Sequence, residues 1–178
     1  MTEEKAKFLR ELIPAVLALQ ERTGLPASVI LAQAILESDW GRSPLARRHR
    51  NLFGIKAHIR AVGPGALYTT TEYTGGRRSR VRARFAHYTG YDACLEDYAR
   101  LLARPRYARA RAVAANPFAF AAELQRCGYA TDPRYARKLG LLIRRYRLTQ
   151  YDLSPEFRRA APVAAADSDR VPSEVTST

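Results

Sequence analysis

Pro26-Ala27-Ser28-Val29-Ile30-Leu31-Ala32-Gln33-Ala34-Ile35-Leu36-Glu37-Ser38-Asp39-Trp40-Gly41 is the stretch on which the fold turns. Residues 27–36 are apolar almost all round, which in a helix marks the buried centre of a domain. Pro26 suits the first turn, where its missing N–H would have had no partner. The helix is expected to end at Glu37, with Gly41 taking a left-handed cap. A carboxyl group in that position is pressed from two sides. Burial disfavours its charged form, and so does the negative end of the helix dipole. Both raise its pKa, and a carboxylic acid still protonated near neutral pH suits general acid chemistry. Spacing alone leaves the alternative of a solvated Glu at a helix end.

Working outward, Phe8, Leu12, Ile13, Val16 and Leu17 recur at helical spacing between Glu3 and Arg22. Pro14 interrupts them, which predicts two short helices or one kinked helix. Between Leu67 and Tyr88 the pattern changes to β-branched and aromatic alternation, with Thr74-Gly75-Gly76 as a turn, so a β-hairpin is expected. Thr89 and Asp92 have the spacing of a capping box before a helix from Ala93 to Leu102. Asn116-Pro117 and Asp132-Pro133 are further start signals, and Gly128 is a stop. Leu139, Leu142 and Ile143 make an apolar stripe in the last helix, expected from Tyr135 to Tyr146. The fold class that follows is α+β and mainly α, a single domain over residues 1–152. Residues 153–178, rich in Ala, Pro, Ser, Asp, Val and Thr, are expected to be a disordered tail.

Composition narrows the function classes. No apolar run reaches the ~20 residues of a bilayer span. The acidic start, Met1-Thr2-Glu3-Glu4-Lys5, is unlike a cleavable export signal. The formal charge is +13; residues 152–178 carry −2 of it, so +15 belongs to the remainder, a surface that attracts polyanions. Cys94 and Cys127 are too few for a zinc site, and buried free thiols are expected. His49, His58 and His87 lack a second ligand at zinc spacing, so no metal is expected, and His87 reads as a hairpin surface residue.

Ala32-Gln33-Ala34-Ile35-Leu36-Glu37-Ser38-Asp39-Trp40-Gly41-Arg42-Ser43 followed by Asn51-Leu52-Phe53-Gly54-Ile55-Lys56 resembles the signature of the family-73 glycoside hydrolases. These are the glucosaminidases of flagellar peptidoglycan hydrolases, autolysins and some phage lysins. Thr71-Glu72-Tyr73, Phe85-Ala86-His87-Tyr88, Asp97-Tyr98, Pro105-Arg106-Tyr107 and Gly128-Tyr129-Ala130-Thr131-Asp132-Pro133-Arg134-Tyr135-Ala136 follow in the family's order, so the resemblance covers roughly residues 8 to 147. One departure is Asp39, where the family usually has Gly; it sets a second carboxylate near Glu37.

The resemblance implies a lysozyme-like helical lobe with a small β-hairpin lobe flanking an open groove for a glycan strand. It implies Glu37 as general acid. Glu72 on the hairpin would activate water or stabilise positive charge on the sugar, against the plain alternative of a charge protecting a strand edge. Tyr129 would line the cleft beside the reacting sugar, or simply pack on Tyr135. Asn51 is expected to offer its amide to the sugar and Phe53 a hydrophobic face, with Ser38, Tyr73 and Tyr88 as further substrate contacts. The implied reaction is hydrolysis of the β-1,4 bond on the reducing side of N-acetylglucosamine in peptidoglycan, without cofactor. The expected setting is a monomer at the bacterial wall or periplasm, delivered by a dedicated export apparatus or by phage release. Three other readings remain: a lytic transglycosylase, a nucleic-acid-binding protein drawn by the basic charge, and a catalytically silent glycan-binding module.

Overall fold

The computed structural model describes residues 1–57, 66–74 and 77–152, and for residues 66, 70–74 and 77–81 the backbone alone. His58, the Gly75-Gly76 turn and the tail at 153–178 lie outside the described residues. Among the described residues seven α-helices and one two-stranded sheet follow in order: α1 Glu3–Thr23, α2 Ala27–Ser38, α3 Pro44–His49, β1 Ala66–Thr74, β2 Arg77–Phe85, α4 Tyr91–Ala103, α5 Ala108–Ala112, α6 Pro117–Arg126 and α7 Tyr135–Arg145. Short 3₁₀ turns occupy Pro105–Tyr107 and Leu148–Tyr151.

Helix α2 is the axle of the helical lobe. Ten of its twelve residues are buried, and it meets α1, α6, α7 and the turn Leu148–Tyr151. Its first turn lacks a side-chain cap from Pro26, so distant groups supply one. Gln20 Oε1 accepts from Ala27 N at 3.1 Å. The Asp152 carboxylate accepts from Ser28 N at 2.9 Å and Ser28 Oγ at 2.7 Å, an acid where the helix dipole favours one. Helix α1 is continuous. Pro14 stands on its exposed face, where the carbonyl that loses its partner can be hydrated, while Leu12, Val16 and Leu19 stay fully buried on the other.

One start signal is corrected. Helix α4 begins at Tyr91 with Gly90 as its unassisted cap, so Thr89 and Asp92 do not form the expected box. Helix α7 starts at Tyr135, as expected, after a turn in which the Asp132 side chain accepts from Arg134 N at 2.9 Å. Asn116 is the cap expected, accepting from Phe118 N and Ala119 N, and Leu139 and Ile143 of the α7 stripe are fully buried.

The sheet is antiparallel, with Ala66 opposite Phe85 and Thr74 opposite Arg77. Its base is stitched to the helical lobe by the segment after α3. Lys56 bridges to Phe85, Ala57 N donates to Arg84 O, Ala86 N to Ile55 O, and Tyr88 N to His49 O, each at 2.9 Å. His49 extends the seam, with Nδ1 at 3.1 Å from His87 Nδ1 and Nε2 at 3.1 Å from the Tyr68 hydroxyl. His87 is exposed as expected. Both cysteines are free thiols; Cys94 is buried, but Cys127, expected to be buried, is only half so.

Candidate active site

Glu37 occupies the last turn of α2, where the chain leaves the core. The residue as a whole is exposed, as a group that meets a polymer must be, while protein crowds the carboxyl end of its side chain. That crowding raises its pKa above the ordinary carboxylate range; the nearby Tyr135 hydroxyl and the charge of Lys138 pull the other way without cancelling the rise. The Lys138 charge is shared, since its ammonium also pairs with Asp132 at 2.5 Å.

The left-handed turn that follows aims Glu37 and disposes of its neighbours. Asp39, Trp40 and Gly41 have φ of 50°, 59° and 73°, so Asp39, not Gly41, is the helix cap. A short polar side chain tolerates that region at moderate cost, which accounts for Asp at a position where Gly is usual. Its carboxylate is 2.8 Å from Arg42 Nη2. Gly41 has no alternative, because a Cβ there would lie 2.9 Å from the Phe8 ring. Trp40 folds back in edge contact with Tyr146 at 4.7 Å and Phe8 at 6.1 Å.

Three tyrosines from other elements, Tyr98, Tyr129 and Tyr135, lie close enough to the acid to feel its charge. Tyr98 of α4 is fully buried and donates its hydroxyl to Gln33 Oε1. Gln33 Nε2 in turn donates to the Tyr135 hydroxyl at 2.8 Å. Tyr129 stacks on Tyr135 with centroids 5.7 Å apart and tilts against Tyr107 at 6.2 Å. The Tyr129 hydroxyl is buried without a hydrogen-bond partner among the described residues. Burial holds Tyr98, Tyr129 and Tyr135 well above the ordinary phenol range, with Glu37 adding to each shift.

Several expected substrate contacts are corrected. Ser38 is fully buried; its Oγ donates to Ala34 O and accepts from Gly41 N, so it shapes the turn. Asn51 is 1% exposed, and its amide serves Ile55 N, Ile55 O and Ala86 O, which leaves no free face for a sugar. Phe53 is buried and stacked on Tyr98 at 4.3 Å. Tyr88 is half-buried and donates to Asp97 at 2.6 Å. Glu72 stands opposite Ser79 on the hairpin; its side chain and that of Tyr73 lie outside the described part. Gln33, Tyr98, Tyr135 and Lys138 were not singled out from sequence. The signal for Gln33 was present: a polar residue inside an apolar run, one turn before Glu37 and on its face. Among the described residues no cluster of three His, Cys, Asp or Glu could hold a metal, and no helix is long and apolar enough to cross a membrane.

The family model described as mannosyl-glycoprotein endo-β-N-acetylglucosaminidase matches residues 13–148. The chain belongs to the glucosaminidase family. These are the family-73 glycoside hydrolases, and the mainly helical fold with one small hairpin is theirs. The peptidoglycan hydrolase FlgJ of Salmonella typhimurium is 42% identical over 163 residues, 88% of this chain and 51% of the relative. The exo-glucosaminidase LytG of Bacillus subtilis is 36% identical over 84% of this chain and 54% of its own length. The chain therefore spans about half the length of these curated relatives. In solved structures, the catalytic domain of the autolysin Auto from Listeria monocytogenes superposes with a TM-score of 0.73 at 35% identity, covering 85% of this chain and 89% of that one. The glycoside hydrolase domain of Salmonella typhimurium FlgJ gives 0.63 at 38% identity, covering 84% and 91%.

Proposed function

We propose that this domain hydrolyses the β-1,4 bond on the reducing side of N-acetylglucosamine in peptidoglycan, with Glu37 as general acid. The observation that carries the reading is the Glu37 carboxyl itself: biased toward its protonated form and ringed by tyrosines at the accessible end of the central helix. The names of the FlgJ and LytG relatives supply the substrate class.

In the reaction Glu37 gives its proton to the glycosidic oxygen. The C1–O bond breaks with its electron pair passing to that oxygen, and an oxocarbenium-like centre develops on the sugar. Water then adds to C1 and surrenders a proton. Glu72, carried on β1, is assigned to activating that water or to stabilising the positive centre. Tyr129 is assigned to the reacting sugar, a role supported by its partly exposed place on the loop after α6, close enough to Glu37 to feel its charge. The glycan is assigned to the side of the helical lobe that carries the hairpin, with Tyr73 on β1 as a candidate contact. The +15 charge assists association with the anionic envelope at the cell wall or periplasm, where the domain acts as a monomer.

Incubation with purified sacculi, followed by mass analysis of the released fragments, tests substrate and bond together. Fragments ending in reducing N-acetylglucosamine are expected. Anhydro sugars would instead identify a lytic transglycosylase, and the absence of any release would leave a glycan-binding module.

A further inference from the structure

We infer that the outer face of the hairpin is a docking surface for acidic peptide: the carboxylate-bearing stems of a peptidoglycan strand next to the one being cut. The inference rests on peptidoglycan being the substrate, and it is independent of which residue is the acid.

Side chains of a strand alternate between its two faces, and residues paired across an antiparallel ladder share a face. Contacts fix which face is the inner one. Tyr68 meets His49 at the end of α3 with ring centroids 5.7 Å apart, and meets the buried Phe85 at 6.3 Å. Alternation places Glu72 on the same face as Tyr68. The outer face follows from the register: Leu67, Thr69, Thr71 and Tyr73 of β1 stand against Arg84, Arg82, Arg80 and Arg78 of β2. Where the side chains are described, this face is open. Leu67 is 49% exposed, and Thr69, Arg82 and Arg84 are exposed with it.

One face of β2 is therefore a row of four arginines, at positions about 6.6 Å apart and spanning ~20 Å. No acid stands opposite them, because Glu72, the one carboxylate of the two strands, belongs to the other face. Among the described residues the guanidinium groups of Arg82 and Arg84 pair with no carboxylate. Cations at this spacing lie within a Debye length and repel one another. The row is thus a standing cost to a two-stranded ribbon, which has little stability of its own. Charge on a strand commonly protects a sheet edge, but β1 is an edge too and carries no basic residue. A polyanion relieves the repulsion. Carboxylates suit arginine, whose planar fork takes them through two parallel N–H donors, and Thr69, opposite Arg82, adds a hydroxyl donor beside them. Position selects peptide among the polyanions. A wall strand held on the Glu72 face brings its neighbours in the mesh to the outer face, and the stems are where those neighbours keep their carboxylates.

The test is cosedimentation of the full chain with purified sacculi, on ice and at physiological salt. Each exposed ion pair is worth a factor of about two, so Arg82→Gln with Arg84→Gln should weaken binding about fourfold, and Arg78→Gln and Arg80→Gln added to them about sixteenfold. The difference should shrink as salt is raised. Blocking the stem carboxylates by carbodiimide coupling to an amine should weaken the wild type as much and the four-site variant no further. On soluble glycan strands stripped of their stems, kcat/KM of both variants should stay near the wild-type value. Wild-type binding by the folded four-site variant overturns the inference, and so does wild-type binding that survives the blocking. Loss of binding when phosphodiester polymers are removed from the sacculi, or a row-dependent preference for oligonucleotides, overturns it in favour of another occupant. A fall in kcat/KM on stem-free strands overturns it by placing the row in the cleft. Row-dependent binding by a wild type that releases no fragments upholds the docking surface and overturns the hydrolysis.

Discussion

Ser28 and Asp152 lie 124 positions apart and make two hydrogen bonds, Asp152 accepting from both the backbone N–H and the hydroxyl of Ser28. The chain's last described residue thereby caps its central helix. Asp152→Ala should cost about 1–2 kcal/mol, the usual worth of a helix cap, read as a lower midpoint in urea. A chain ending at Asp152 should keep the melting temperature and activity of residues 1–178, whereas one ending at Arg147 loses the cap and the buried Leu148 and should melt many degrees lower.

Asn51 separates a structural from a substrate-binding role. Its amide closes the loop that ties the hairpin to the helices, through three bonds to Ile55 and Ala86. Asn51→Ala leaves those backbone groups unpaired and should cost about 2–4 kcal/mol, seen in thermal melts. At a temperature where the variant is still folded its KM should be near wild type; a large rise in KM with unchanged stability would restore the substrate contact.

Fold and acid were legible for different reasons. The apolar run of α2 and the Asn116-Pro117 signal are local, so periodicity and cap chemistry expose them. The Thr89–Asp92 box failed because Gly90 in extended conformation starts the helix with no side chain at all. Asn51, Phe53 and Ser38 belong to the family's motif yet are held inside the fold: a motif records that a residue type is needed, not whether it faces sugar or backbone. The Gln33–Tyr98–Tyr135 chain spans three helices, 65 and 102 positions apart, and such pairings carry no signal in one sequence.

The turn after α2 gives a contrast between neighbours. Gly41→Ala needs both a left-handed φ of 73° and room beside Phe8, which is not there; it should destabilise by about 1–3 kcal/mol. Asp39→Gly removes only an exposed pair with Arg42 and relieves a left-handed Asp, so stability should stay within about 0.5 kcal/mol. The alkaline limb of the pH–rate profile, where loss of the Glu37 proton ends activity, should also stay in place, because Asp39 faces Arg42. A limb that moved would make Asp39 an electrostatic partner of Glu37.

The seam between hairpin and helices should weaken in acid. His49 is held below the ordinary imidazole value of 6.5 by burial, His87 and Arg48. A depressed histidine contributes stability that is present above the unfolded pKa and lost as pH falls through the folded one. Thermal stability should therefore drop as pH is lowered below about 6.5, and His49→Gln, which removes the titrating ring, should flatten that drop. Parallel curves for the two proteins would place the pH dependence elsewhere.

Glu37 ties stability to activity with opposite signs. Its raised pKa means that the folded state resists ionising it, so the stability present below the unfolded value of 4.5 is lost as pH rises through the folded pKa. Glu37→Gln, neutral throughout, should melt higher than wild type at pH 7–8, and the advantage should vanish below about pH 4.5. The same variant decides the mechanism. General acid catalysis contributes ~10² to 10⁴-fold, so Glu37→Gln, shown folded by circular dichroism, should release fragments from purified sacculi at no more than about a hundredth of the wild-type rate; release at the wild-type rate would contradict the account at its centre.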